Sequence, residues 1–131
     1  METMGPDELR FFEAQRREGA LPLYAALRRC VEAHCAPVRI EVKKTQISFV
    51  NRRLFAAASF LPARRAAERP ETWLTVTFGL GRRLGDPRVD VAVEPYPGRW
   101  THHVTIGGVE EVDGTLAAWL REAAAFSAAK R

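Results

Sequence analysis

Apolar residues recur at two periods along this chain, and each change of period marks a change of structure. Near the N-terminus, DELRFFEAQRREG predicts a short helix that Asp7 caps and Gly19 ends, with Leu9, Phe12 and Arg16 on one side and Phe11 off that face. LPLYAALRRCVEAHC follows with Tyr24, Leu27, Val31 and either His34 or Cys35 at helical spacing, and Pro37 stops it. Beyond Pro37 the period becomes two. Val38, Ile40 and Val42 alternate with Arg39 and Glu41, the phase slips at KKTQ, and Ile47 and Phe49 resume it. Asn51 and Arg52 mark a turn before FAAASF, a small-residue strand whose inward face the pattern leaves open. After the loop LPARRAAERPE, Leu74, Val76 and Phe78 oppose Trp73, Thr75 and Thr77, and RVDVAV alternates again through Val89, Val91 and Val93. Tyr96-Pro97-Gly98-Arg99 suits a type II turn, because proline presets its first corner and glycine accepts the positive φ of its second. The next strand sets Trp100, His102, Val104 and Ile106 against Thr101, His103 and Thr105, so one histidine is expected inside and its neighbour outside. Finally Asp113 caps a helix with Leu116, Trp119 or Leu120, Ala123 and Phe126 as its apolar stripe, and Lys130 and Arg131 complement its C-terminus.

Helix, helix, about six strands, helix is an order without crossover helices between strands. It predicts a single α+β domain over residues 1–131, in which an antiparallel sheet packs one face on the N-terminal and C-terminal helices. Residues 1–19 form an N-terminal helical arm on this reading. The element order is similar to the frataxin-like arrangement of terminal helices on a meandering sheet. The second sheet face then carries Arg39, Glu41, Trp73, Thr75, Thr77, Thr101, His103 and Thr105.

Composition narrows the setting. With 131 residues, 47% apolar and 27% charged, the chain suits one globular domain and is too apolar for disorder. No run reaches the roughly 18 apolar residues of a membrane span, and METMGPDELR lacks the basic-then-apolar order of a signal peptide, so a cytoplasmic protein without a membrane partner is expected. The net charge of +4 is carried by arginine, often in adjacent pairs, with Lys43, Lys44 and Lys130 the only lysines. Such a surface suits an anionic ligand or nucleic acid. Cys30 and Cys35 diverge by about 140° around a helix, which predicts reduced thiols; Cys30 and His34 share a face but lack further ligands for zinc, so neither metal nor cofactor is expected. The loop GLGRRLGDP departs from both glycine-rich phosphate motifs and reads as a connection between strands.

Two functional classes follow, beside a structural or homo-oligomeric role. A binding module would use the polar sheet face, with Lys43, Lys44, Gln46, Arg52, Arg53, Trp73, Arg99 and His103 holding an anionic ligand, a peptide or nucleic acid. Trp73 and Phe11, without an evident cover, would also suit a homodimer. The enzyme reading rests on Glu41-x-Lys43, a pairing used by metal-dependent nucleases, although the second metal carboxylate has no upstream strand to stand on. Glu94 and His103 could exchange protons, but nothing marks a nucleophile or oxyanion hole.

Four blocks, LPLYAALRR, KKTQISFVNRR, GRRLGDPRV and PYPGRWTHHV, resemble those shared by a bacterial family catalogued only as a domain of unknown function. Some of its members carry the label predicted transport protein. The resemblance spans roughly residues 20–127 and implies a self-contained bacterial α+β domain; it transfers no catalytic residue.

Overall fold

In a computed structural model describing residues 4–129, the alternating segments between Arg39 and Ile106 pair into one antiparallel six-stranded sheet. The strands are β1 (Arg39–Val42), β2 (Gln46–Val50), β3 (Leu54–Ser59), β4 (Leu74–Leu80), β5 (Val91–Tyr96) and β6 (Arg99–Ile106). Their spatial order is β1-β2-β3-β4-β6-β5, so the last hairpin folds back and leaves β5 at an edge. Pairing slips by one residue beside Phe49, where β3 carries a bulge, which accounts for the ambiguous phase of FAAASF. At the β5–β6 turn Gly98 has φ of +83°, the conformation that the expected type II turn demands.

Three helices complete the order: α1 (Pro6–Ala14), α2 (Leu21–Cys35) and α3 (Gly114–Ala129). The first begins one residue before Asp7, which sits in its first turn and pairs with Arg10 instead of capping it. It also ends well before Gly19: Arg16 adopts φ of +59°, and Arg17 N–H closes the helix on the Phe12 carbonyl at 2.9 Å. A residue in this left-handed geometry terminates a helix whatever its identity, so the stop lies at Arg16 and Gly19 falls in a following 3-10 turn. The α3 start is as expected, with Leu116 N–H donating to Asp113 Oδ1 at 3.0 Å. Lys130 and Arg131 lie outside the described residues.

Tyr24, Leu27, Val31 and Cys35 are the buried stripe of α2, while His34 is exposed. On α3 the inward positions include Leu116, Trp119, Leu120, Ala123 and Ala124, with Phe126 only half-buried. Tyr24 stacks on Phe49 of β2 at 6.4 Å and Trp119 on Phe78 of β4 at 5.9 Å, which places the core between the helices and one sheet face. Phe11 belongs to that core: it is 4% exposed and meets both Phe12 and Phe60. A stripe judged over nine residues omits it because two adjacent phenylalanines both turn inward where α1 closes one end of the sheet.

Candidate functional site

Strand register converts the second face into rungs. One rung runs Gln46, Ser59, Thr75, Thr105 across β2, β3, β4 and β6. The next runs Glu41, Ser48, Ala57, Thr77, His103, Val91 from edge to edge, and a third joins Gly79, Thr101 and Val93. Residues on a rung sit side by side, and successive rungs are about 7 Å apart along the strands.

The first rung is roofed by the loop between β3 and β4. Thr75 Oγ1 donates to the Leu61 carbonyl at 2.6 Å, and Arg64 reaches across to Asp90 Oδ1 at 3.0 Å and the Thr105 carbonyl at 3.3 Å. Asp90 in turn accepts from Thr105 N–H at 2.7 Å, so the loop is latched to the far side of the sheet and Thr75 and Thr105 are buried. The same loop covers Trp73. It is 5% exposed, its ring 5.2 Å from the Arg17 guanidinium and 4.9 Å from that of Arg69, with Phe60 edge-on at 5.7 Å. Trp73 points off the core face as alternation predicts, but the expectation that it lacks a cover fails, because two arginines and Phe60 close over the ring. With Phe11 also buried, both aromatic groups that suggested a homodimer are internal.

What stays at least partly exposed is Glu41, Thr77, His103 and Val91 of the second rung and Thr101 and Val93 of the third, while Ser48, Ala57 and Gly79 are buried. A cleft of about 340 Å³ lies at Gln15, Gln46, Ser59, Leu61, Thr77 and His103. Its floor is a hydrogen-bonded layer: Gln46 Nε2 donates to Ser48 Oγ at 2.8 Å, and Thr77 Oγ1 lies 2.8 Å from His103 Nδ1. Burial holds the His103 pKa below the ordinary imidazole value, which keeps the ring neutral near pH 7. With Nδ1 engaged by Thr77, Nε2 is the atom left for a ligand.

Arg99 stands above the third rung. A Cβ on Gly79 would fall 2.4 Å from Arg99 Cζ, so the guanidinium lies flat over the glycine, in space that any side chain would fill. Its Nε is buried and has no hydrogen-bond partner. Among the described residues the neighbouring cations are compensated: Arg39 and Lys43 flank Glu41 at 3.1 and 3.3 Å, and Arg64 faces Asp90. Hydrogen bonds from Arg39 and then Lys43 hold the Glu41 carboxyl below its usual range.

The structure thus brings Gln46 and His103 to one cleft, sets the Arg99 guanidinium on the same sheet face one rung beyond His103, and separates the rest of the expected set. Lys43 and Lys44 sit at the β1–β2 turn, where the Lys44 carbonyl accepts from Gln15 Nε2 at 3.2 Å. Arg52 and Arg53 sit in the β2–β3 turn at the opposite end, tied to the end of α3 by Arg53 N–H donating to Ser127 Oγ at 3.2 Å. Thr77 and Ser48 were missed as partners because threonine and serine on a strand carry no signal until register sets them beside histidine and glutamine. Gly79 opens the glycine-rich segment GLGRRLGDP in the sequence but lies inside β4, where a glycine marks close approach by another group.

Clefts at the helices also hold titratable groups. Between α2 and α3, a cleft of about 630 Å³ contains Cys30, His34 and Arg121, with Arg121 Nη1 3.2 Å from His34 Nδ1. Burial raises the Cys30 thiol pKa and pushes that of Cys35 up to about 11, so neither is an activated nucleophile, and both are free thiols. A cleft of about 540 Å³ beside Pro37, Val38 and Arg52 lies where α2 and α3 both end, and helix C-termini oppose an anion. Among the described residues no three His, Cys, Asp or Glu side chains gather as metal ligands, and no helix is long and apolar enough to cross a membrane.

The model of one family, a domain of unknown function (DUF5655), matches residues 11–127. No curated protein and no solved structure matches the chain.

Proposed function

The chain belongs to the DUF5655 family, which supplies a domain without an assigned activity, and from the geometry of the open face we propose a binding module for a small anionic ligand. The observation that carries the reading is Arg99: its guanidinium lies over Gly79 with a buried, unpartnered Nε, beside a rung of neutral hydrogen-bonding groups. A guanidinium presents its donors in a planar fork suited to carboxylate or phosphate, and fixing it in advance reduces what binding must order. Thr77 and His103 then orient the ligand without adding charge.

The nuclease reading of Glu41 and Lys43 draws less support. Glu41 is engaged by both Arg39 and Lys43, and among the described residues it belongs to no group of three or more His, Cys, Asp or Glu side chains that could hold a metal ion. We place the module in a bacterial cytoplasm, where Cys30 and Cys35 would remain reduced.

A ligand that binds the folded state raises its melting temperature by mass action. Thermal melts of the parent and of Arg99→Gln with acetate, succinate, phosphate and nucleotides test the proposal. At least one anion should stabilise the parent and fail to stabilise Arg99→Gln. Equal responses of the two proteins, or none in either, would rule it out.

A further inference from the structure

Beside the second and third rungs, among the described residues, stands one cation without an ion pair, Arg99, and next to it exposed apolar surface that the polar rungs do not explain. Val91 and Val93 are 37% and 47% exposed, and register sets Val91 beside His103 and Val93 beside Thr101. At the opposite edge of the sheet Arg39 and Lys43 already face Glu41, and on the β5 side Arg64 faces Asp90. A polyanion needs several available cations along its track, because each phosphate held contributes separately. Arg17 and Arg69 are stacked on Trp73 beyond the first rung, and Lys44 sits at the β1–β2 turn, so beside the second and third rungs Arg99 is the one cation, among the described residues, without an ion pair.

We infer that the ligand class is an organic monocarboxylate with an apolar body and one neutral hydrogen-bonding group, and not a polyphosphate or nucleic acid. The inference rests on the anion-binding reading above. The carboxylate would meet the Arg99 guanidinium at the register of Gly79 and Thr101, and the apolar body would lie on Val91 and Val93. The neutral group would meet His103 Nε2 one rung away, which sets its separation from the carboxylate at about 7 Å. His103 suits a neutral partner, because burial disfavours its charged form. Burying the two valines against an apolar body adds favourable free energy that a bare phosphate could not recover.

Para-hydroxyphenylacetate has these features: a carboxylate, an aromatic body and a phenolic hydroxyl at about the spacing of one rung. Titrations followed by the NMR signals of the His103 ring and the Val91 and Val93 methyls should show binding of this acid. Its neutral amide should bind at least about tenfold more weakly, as should the acid to Arg99→Gln, one lost charge-assisted contact being worth about that factor. Phenylacetate, without the hydroxyl, should still shift the valine methyls but leave the His103 ring nearly unmoved. Adenosine monophosphate and oligothymidylate should bind no more tightly than the acid. If either of these bound more tightly and lost that binding in Arg99→Gln, the ligand class would be wrong and the anion site would stand. If the acid and the amide bound alike, or no anion bound in an Arg99-dependent way, both readings would fall.

Discussion

His102 Nε2 accepts a hydrogen bond from the Leu84 backbone N–H at 3.0 Å, and the imidazole stacks on Phe78 at 5.2 Å. One buried side chain therefore pins the β4–β5 loop to the sheet, with Leu84 turned inward as its anchor. His103, the next residue, faces the other way and touches Thr77 instead. His102→Ala should cost about 2–4 kcal/mol, from a cavity beside Phe78 together with an orphaned Leu84 N–H. His103→Ala should change stability by less than about 1 kcal/mol and should disturb ligand binding. Denaturant titration of both variants checks the pair; equal losses would mean that the strand's two faces are not distinct in energy.

The same histidines set the acid limit of stability. Burial lowers the pKa of His102, with the backbone groups of Phe78 and Trp100 pulling the other way, and burial lowers that of His103. Each pKa is depressed on folding, so below the ordinary value near 6.5 the unfolded chain binds protons that the native state refuses. Stability should therefore be full above about pH 6.5 and fall as pH drops through the window between the unfolded and the lower folded pKa. The slope should be shallower in His103→Gln, which keeps a polar group but cannot titrate. An unchanged slope in that variant would show that His103 ionises as freely in the fold as outside it.

Much of this architecture was legible in the sequence because it depends on local periodicity. The strands, the turn at Gly98, the Asp113 cap and the opposite facing of His102 and His103 all follow from residues within one element. Trp73 was not legible, since its cover comes from Arg17, far away in sequence, and Arg69 across a loop. For the same reason the site was only half visible. Alternation places Arg99 and His103 on one face, but only the pairing of β4 with β6 puts Gly79 beneath the Arg99 guanidinium and Thr77 beside His103. Lys43, Arg52 and Arg53 were grouped with them by charge alone, and the strand ends on which they sit point to different ends of the sheet.

A buried polar cluster joins α1 to α2 and predicts an alkaline limit. The Tyr24 hydroxyl donates to Glu8 Oε2, while Glu8 Oε1 accepts from Gly5 N–H at 2.7 Å and from Arg28 Nη1 at 3.2 Å. Burial first, and then the hydrogen bond to Glu8, raise the Tyr24 pKa far above its ordinary 10.0. A pKa raised on folding means stability that is full below about pH 10 and declines above it, as the unfolded tyrosine ionises and the folded one does not. Tyr24→Phe should lower stability at pH 7 by about 1–2 kcal/mol through the weakened satisfaction of Glu8. It should also remove part of the decline above pH 10. Melting curves from pH 7 to about 11 compare the two proteins; parallel profiles would mean that the hydroxyl is ionising in the native state.

Gly79 offers the sharpest test of how Arg99 is held. An alanine Cβ there would sit 2.4 Å from both Cζ and Nη2 of Arg99, and both are at the flexible end of a side chain. The guanidinium can swing aside while the β4–β6 pairing stays intact, and alanine suits a strand better than glycine does. Gly79→Ala should therefore keep stability within about 1 kcal/mol of the parent, yet weaken anion binding by about tenfold because Arg99 loses its preset position. Arg99→Gln should have a comparable effect, and the double variant should bind no more weakly than Arg99→Gln alone, since the glycine acts through the arginine. If the two losses instead added in full, Gly79 would be touching the ligand directly. If Gly79→Ala bound anions like the parent, a guanidinium seated over the glycine would not be what the site requires.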